Sequence, residues 1–592
     1  MSERATRDSS AGADAIGADA AGDGNGDGVA AGVAPDASIT ATAVSLSDAC
    51  RIGAASGASA GAGVSGGALR AAASVAIAAA AEMAEAAEAT EATEATETTE
   101  TTETTETTET TETTETTETT ETTETTETTE AAARAHAIES ALVDELGAAL
   151  VTRSAAIEPR YFTAYNEAPG VRPLALVRPA CVDDVSRALA LCTRLRQPVV
   201  PQGGLTGLAG GGVALGGEVV LSMERFAGIE EIDAAAGTMT VRAGTTLQAV
   251  QEAADAAGFA FGVDLGARGS CQIGGMLATN AGGTRAIRFG MMREQTLGIE
   301  AVLADGTIVT SLNKVLKNNA GYDVKQLFIG SEGTLGIVTR AVLRLHPPLA
   351  RHATALCRVP DYGTLVRLWR DVRAALPGVV SFEAMWPAFY RYVAENTLGL
   401  TAPFGADGDF VILIECAASG AHADARDALE QCLGACFDAG LVTDAALAAS
   451  ERQARDMWTL REGLAIDALP HLLNFDVSLP VAELGAFAER CNAALRARWP
   501  HAVCLCFGHV GDGNVHVGVS LADLPAHGAD SVERAVYGVV REMGGSISAE
   551  HGIGVHKRPF LAYSRSAAEI GVMRAMKAAL DPLGILNPGK VL

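Results

Sequence analysis

Two of the eleven histidines in this 592-residue chain fall within one short stretch, Phe507–Val517, with the sequence FGHVGDGNVHV. Asp512-Gly513 is a favoured centre for a two-residue hairpin turn. A turn there sets Gly511 against Asn514, Val510 against Val515 and His509 against His516. Directly opposed residues stand about 4.5–5.5 Å apart at Cβ, so both imidazoles could reach one metal ion. A pair of histidines on a surface hairpin would read the same way. What tips the reading towards chemistry is a second stretch, Ser548–Gly554 (SAEHGIG), which adds Glu550 and His551 beside flexible glycines.

Three further stretches are crowded with glycine: Pro201–Gly212 (PQGGLTGLAGGG), Leu265–Gly290 (LGARGSCQIGGMLATNAGGTRAIRFG) and Gly330–Gly336 (GSEGTLG). Glycine lets backbone approach a ligand closely and adopt positive φ, and its unblocked N–H groups can form a nest for a pyrophosphate. One such loop alone is an ordinary tight turn. Three of them, two carrying hydroxyl and amide side chains, point to a phosphate-bearing cofactor. Arg461, in WTLRE, is a natural bidentate partner for a substrate carboxylate; a helix-surface arginine paired with Glu462 or Asp456 is the alternative.

The elements that must hold these groups follow from periodicity. Ala175–Arg178 reads as a strand leading into the helix Val182–Leu195, and Pro198–Pro201 is a strand directly before the first glycine loop. Strands Val219–Ser222 and Thr238–Val241, the helix Leu247–Ala257 and a hairpin at Ile299–Thr310 extend an α+β layer domain to about His346. After Pro347-Pro348 the texture changes. Helices Tyr362–Ala375, Ala421–Ala439 and Ala482–Ala497 alternate with strands such as Phe410–Glu415 and Val503–Phe507, and Ala567–Leu580 is helical.

The first 135 residues are different material. From Glu82 to Glu130 a glutamate stands at every third position, mostly as Glu-Thr-Thr. That period matches neither helix nor strand, so the run is expected to stay disordered. Its seventeen glutamates supply most of the net charge of −28, which therefore says little about the partners of the folded part; no nucleic acid is expected. A GxGxxG match at Gly61–Gly63–Gly66 has no strand before it and is chance. An expanded repeat or an upstream start, with Met83 as an internal alternative, would account for the tail. The N-terminus lacks the pattern of a signal peptide, and Ala68–Ala81 is too short to span a bilayer. Eleven scattered cysteines suit a reducing compartment without iron–sulfur spacing. The expectation is a cytoplasmic protein with no membrane span, whose buried thiols are free.

The order of the three glycine loops, followed by GHVGDGNVH and EHG, resembles the vanillyl-alcohol oxidase type of FAD enzymes (PCMH-type FAD domain), in their D-2-hydroxyacid dehydrogenase branch. The likeness runs from about residue 136 to the C-terminus. It implies a two-subdomain PCMH-type FAD-binding domain at 136–346 and an α/β substrate-capping domain at 347–555. A segment at 556–592 would return to the FAD domain, and a disordered tail at 1–135 would precede it all.

By this resemblance Pro201, Gln202, Gly203, Gly204, Leu205, Thr206 and Gly207 wrap the pyrophosphate. Gly266, Ser270, Gly274, Gly275, Thr279, Asn280, Gly282 and Gly283 line the ring and ribityl chain, Gly333 and Ile337 approach the adenine end, and Asn587 lies near the cofactor. Asn319–Asp323 is scaffold for that wall. No histidine lies between His136 and His346, so the FAD is expected to be non-covalent, with Cys271 a packing residue. The resemblance makes His509, His516 and Glu550 ligands of a divalent metal, zinc for preference, and His551 the general base. Two imidazoles and a carboxylate leave positions open, as a catalytic ion requires. Arg461, Asn514 and Asn474 contact substrate.

One departure bears on the substrate. The D-2-hydroxyglutarate enzymes carry a threonine and a lysine where this chain has Ala465 and Asn474, which keeps D-lactate beside D-2-hydroxyglutarate as the acid oxidised. The electron acceptor would be external: an electron-transferring flavoprotein, a quinone or another. A homodimer is compatible with the sequence. Non-redox chemistry of the alkyl-dihydroxyacetonephosphate synthase kind, or a flavin subunit of a larger oxidase, are the alternatives. Both fit less well with a complete histidine–glutamate set.

Overall fold

Hydrophobic alternation builds three sheets in the computed structural model, which describes residues 115–163, 170–405, 408–418 and 424–592, with the side chains of 115–129 and 350–351 left aside. The described residues lie within one compact unit, Thr111–Leu592. The chance GxGxxG match, Met83, Ala68–Ala81 and most of the Glu-Thr-Thr run lie outside them.

The first sheet contains β1 (Val151–Arg153), β2 (Ala175–Val177), β3 (Val199–Gln202) and β4 (Val219–Ser222), in the order β1-β2-β4-β3. Its β2, β4 and β3 run parallel, as the intervening helix Val182–Arg194 demands. The second sheet holds β5 (Ile229–Asp233), β6 (Thr238–Arg242), β7 (Ala260–Phe261), β8 (Thr296–Val302), β9 (Ile308–Ser311) and β10 (Ile337–His346), in the order β5-β6-β10-β8-β9 with β7 on β10. The Asp305-Gly306 hairpin pairs Val302 with Ile308. Two cores fill this half of the chain, the first of them shared with Val302 of β8 and Ile337 of β10. One joins Leu142 and Leu146 to Val177, Leu189 and Leu221. The other joins Val241, Leu247, Met276 and Leu343. Each fully buried aliphatic side chain here contributes about 1.5–3 kcal/mol.

The third sheet is antiparallel: β11 (Ala350–Val359), β12 (Val379–Met385), β13 (Phe410–Ala418), β14 (Asp444–Leu447), β15 (Leu472–Ser478), β16 (Val503–Gly508) and β17 (Asn514–Ser520), ordered β14-β11-β13-β12-β16-β17-β15. Its two faces are read directly from the period of two. Phe382, Cys506, Val515, Val517, Phe475 and Val477 enter the larger core, with the helices Tyr362–Ala375, Ala425–Asp438, Leu484–Arg498 and Ala529–Glu542. The residues between them, Glu383, Phe507, His516, Asp476 and Asn474, belong to the opposite face. That face is covered by Pro387–Asn396 and Glu451–Glu462 through Phe389, Met457 and Leu460.

Two expectations change. The hairpin at Asp512-Gly513 is not a two-residue turn: His509 to Gly513 form a longer loop with a 3-10 turn at Val510–Asp512. Leu479 O lies 2.6 Å from where a Cβ of Gly513 would stand, and that backbone wall lets the loop close only with glycine at φ +87°. The register therefore sets Phe507, not His509, opposite His516. The Glu-Thr-Thr repeat is helical over its last residues, since one helix runs Glu115–Leu146. Its anchored end, with Ile138, Leu142 and Leu146 buried, supplies the costly nucleus from which further turns add cheaply.

Candidate functional site

The three glycine loops meet backbone to backbone. β3 ends on Gln202, whose amide donates to the carbonyls of Tyr161 (2.8 Å) and Gly212 (2.7 Å) and so ties off the first loop. A Cβ on Gly204 would stand 2.0 Å from Ser270 O, and one on Gly283 would stand 1.9 Å from Asp264 O. Gly203 and Gly275 are in ordinary van der Waals contact, and Gly274 packs tightly on Ala243. Gly333, at φ +71°, leaves no room for a side chain against Pro201. A cleft of about 420 Å³ opens here, lined by Arg160, Gln202, Gly203, Gly204, Leu205 and Ser270 among others.

The C-terminal segment reaches the same place. Leu586 bridges to Val199 of β3, and Asn587 donates to the carbonyls of Gly211 (2.9 Å) and Glu332 (2.7 Å). Gln202 Oε1, Gln272 Oε1 and Asn587 Oδ1 are buried acceptors with no protein donor, suited to the N–H and O–H groups of a flavin and its ribityl chain. A cradle of bare backbone with three such acceptors fits FAD.

Other expected flavin residues sit differently. Ile337 is a buried core side chain at the start of β10. Thr279 bonds back to Gly275 O (3.2 Å), and Asn280, left-handed at φ 51°, accepts from Arg293 N (2.9 Å). Open space surrounds Gly207 and Gly266. The loops themselves hold no histidine, yet folding brings the His556 ring against Gly210.

The histidine–carboxylate cluster is built from side chains. Ligand atoms of His509, His516 and Glu550 lie within 4.8 Å of one another, and so do those of Asp476, Glu550 and His551. The imidazoles of His509 and His516 meet edge to face with centroids 5.2 Å apart. Asp476, on β15 opposite His516, accepts the backbone N–H groups of Ala549 (3.1 Å), Glu550 (2.8 Å) and His551 (3.2 Å). Its two oxygens also stand 3.6 Å from His516 Nδ1 and 3.7 Å from His551 Nδ1. Arg461 is buried, and its partner is neither Glu462 nor Asp456 but Glu383 of β12, at 2.6 Å. Glu383 also accepts from His509 Nδ1 at 2.8 Å. Asn514 is buried with both amide atoms unpartnered, whereas Asn474 is exposed at the edge of this face.

Charge in the cluster is unbalanced. Burial, reinforced by Asp476, Asp512 and Glu383, pushes Glu550 up to about 7 against the pull of His509. Burial likewise pushes Asp512 up to about 6. Burial alone would lower His509, but Glu383 more than reverses this and holds it at about 9. His516 is kept well below its ordinary value by burial and then by His509. Burial lowers His551 against the attraction of Asp476, so its imidazole is neutral at pH 7. Glu550 and Asp512 are forced towards protonation beside the neutral imidazoles of His516 and His551, and His509 is drawn to hold a proton. Such a set is short of positive charge, and a divalent cation that displaces the His509 proton fits it.

The cluster and the flavin loops touch. A methyl on Gly282 would stand 3.1 Å from Glu550 Oε1. The buried carboxylate of Glu332 accepts from Ile553 N (2.7 Å) and Gly554 N (2.8 Å), which ties the loop after His551 to GSEGTLG. Glu383 carries no motif of its own as a functional residue, whereas Glu332 stands inside the glycine motif GSEGTLG. For Asp476 the signal was present: a lone acid among apolar residues in a strand.

Residues 173–311 match the FAD binding domain family, and 349–591 match the C-terminal domain of FAD linked oxidases. The D-2-hydroxyglutarate dehydrogenase of Xanthomonas citri pv. viticola is 39% identical over 429 residues, 71% of this chain and 89% of the relative. The mitochondrial D-2-hydroxyglutarate dehydrogenase of Bos taurus is 38% identical over 422 residues, 70% of this chain and 76% of the relative. The structure of p-cresol methylhydroxylase with substrate bound superposes with TM-score 0.61 at 15% identity, over 78% of this chain and 97% of that one; that likeness is one of fold.

Proposed function

We propose a reaction from one premise: the chain belongs to the D-2-hydroxyacid dehydrogenase branch of the FAD-linked oxidases and is an FAD-dependent 2-hydroxyacid dehydrogenase. The reaction is oxidation of a D-2-hydroxy acid to its 2-oxo acid, with D-2-hydroxyglutarate, the acid in the relatives' names, the first substrate to try and D-lactate the second. The observation that carries this reading is that Gly282 faces Glu550, whose Oε1 would stand 3.1 Å from a Cβ built there. It sets the flavin loop against a cluster able to hold a 2-hydroxy acid.

His509, His516 and Glu550 would hold a divalent ion, zinc for preference, which would supply a lowered hydroxyl pKa in the bound acid. Non-covalent FAD, held by the glycine loops, would supply the hydride acceptor. Cys271 supports the non-covalent reading, because burial pushes its thiol up to about 11 and removes the thiolate a covalent bond would need.

The chain's own residues do the rest. Arg461 presents a guanidinium edge to the substrate carboxylate. Asn514, with its buried amide unpartnered, fixes substrate orientation. His551 takes the hydroxyl proton at Nε2 while Asp476 stands behind Nδ1. Electrons then pass to an external acceptor. The bovine relative is named mitochondrial; for this chain the reading is a cytoplasmic enzyme, supported by its buried free thiols. Among the described residues no helix is long and apolar enough to cross a membrane. The non-redox alternative draws no support from the relatives above 30% identity, which are named dehydrogenases.

The test is metal removal. Dialysis against a chelator should abolish turnover with an artificial acceptor while the flavin spectrum persists, and added zinc should restore it. Full turnover in metal-free protein would end the metal reading.

A further inference from the structure

Glu383 is 1% exposed at its side chain, and both of its oxygens are used. Oε1 lies 2.8 Å from His509 Nδ1. Oε2 lies 2.7 Å from Arg461 Nε and 2.6 Å from a terminal nitrogen of the same guanidinium. Its position follows from the sheet. β12 pairs with β16 through Ala384–Gly508 and Met385–Phe507, so the residue before Ala384 projects from the site face beside the start of the His509 loop. Arg461 comes from the covering helix Glu451–Glu462 and its guanidinium carbon lies over the Phe507 ring, 5.1 Å from the centroid. One buried carboxylate thus touches the group expected to bind metal and the group expected to bind the substrate carboxylate.

His509 Nδ1 has two neighbours, and they make opposite demands. Arg461 NH2, 3.5 Å away, is a donor and would need a bare nitrogen. Glu383 Oε1, nearer and in ion pair with Arg461, is an acceptor and needs an N–H. The closer, charge-assisted contact prevails, so Nδ1 carries the hydrogen and Nε2 is the nitrogen turned to the site. On the arginine, Nε and NH2 are committed to Glu383 Oε2, which leaves NH1 as the edge free to turn to a substrate carboxylate.

We infer that Glu383 is a positioning residue that sets the metal end and the carboxylate end of the site together, by fixing the Nδ1–H tautomer of His509 and the rotamer of Arg461. This rests on the proposed metal-assisted reading. The coupling has a consequence for turnover: a substrate is held at its carboxylate and at its hydroxyl by two groups registered on a single side chain, so the separation between the two ends is set by β12 and not by the loops.

The experiment uses the flavin-loaded full chain as wild type, Glu383→Gln and Arg461→Met, with the flavin spectrum as the check on folding. Zinc affinity is measured by competition with a chelating dye, and KM and kcat with the D-2-hydroxy acid. Loss of an outer hydrogen-bond partner weakens metal sites by about 10–100-fold. Glu383→Gln should show a loss of that size and a raised KM. Arg461→Met should raise KM with zinc affinity near wild type. Should Glu383→Gln fail to fold because it strands a buried guanidinium, Glu383→Leu/Arg461→Met removes both charges, an exchange buried pairs often tolerate. Its zinc affinity should still fall below that of Arg461→Met. Unchanged zinc affinity on loss of Glu383 would overturn its role. A wild type that holds no divalent ion would overturn the metal reading, and this inference with it.

Discussion

The flavin loops and the histidine–carboxylate cluster are adjacent, yet they are made in opposite ways. The loops are a backbone device: Gly204 against Ser270, Gly283 against Asp264 and Gly333 against Pro201 leave no volume for a β-carbon. The cluster is a side-chain device, whose imidazoles are aimed by two buried carboxylates from other strands, Glu383 on β12 and Asp476 on β15. A backbone device fails by collision at one residue. A side-chain device fails by losing partners it does not carry in its own motif.

The largest effect should come from breaking the first device. Gly204→Val or Gly283→Ala forces apart backbone that is in contact, and the purified protein should lack most of its flavin, read as the ratio of visible to ultraviolet absorbance. Gly571→Ala, in a helix with open space around it, should keep its flavin and gain up to about 1 kcal/mol of stability.

Next in size is a blow to the cluster that spares the loops. Asp476→Asn keeps the shape but weakens three charge-assisted bonds, each worth about 1.5–3 kcal/mol. The flavin should remain while turnover disappears and the melting temperature drops. A fully active Asp476→Asn enzyme would show that the loop from Ala549 to His551 needs no anchor. His551→Ala is narrower still: it should bind FAD and metal yet lose about 10²–10⁴-fold in kcat.

Why one device was legible in the sequence and the other was not follows from this contrast. Glycines needed for close approach are visible because no other residue serves, and the helices at Tyr362–Ala375 and Ala567–Leu580 were visible from their pattern alone. The turn at Asp512-Gly513 misled, because a favoured dipeptide does not reveal that the loop starts at His509. Ile337 follows a glycine motif, and its side chain packs in the core shared with the first sheet. Glu383 and Asp476 sit in apolar strands, and only the pairing of strands far apart in sequence shows what they face. The helical end of the Glu-Thr-Thr repeat was hidden because its support lies at Ile138–Leu146, beyond the repeat.

The smallest effect concerns pH and the flavin domain alone. Burial, with Arg344 and Arg288 beside it, lowers His346 to about 4. Its folded pKa is depressed, so the unfolded chain binds more protons between about pH 6.5 and 4. Its contribution to stability is full above the unfolded value and is lost as pH falls through that window. His346→Gln should flatten the acid side of the melting-temperature profile; a profile identical to wild type would remove His346 from that role.

The most direct test of the central claim, that the two devices together oxidise a D-2-hydroxy acid, is anaerobic reduction of the bound flavin. D-2-hydroxyglutarate, D-lactate and their L-enantiomers are mixed separately with the enzyme, with and without chelator, and the visible flavin band is followed. Rapid bleaching by a D-acid, absent with the L-acid and abolished by chelator, is the predicted result. A flavin left unbleached by every acid, or bleached equally after metal removal, would contradict the account.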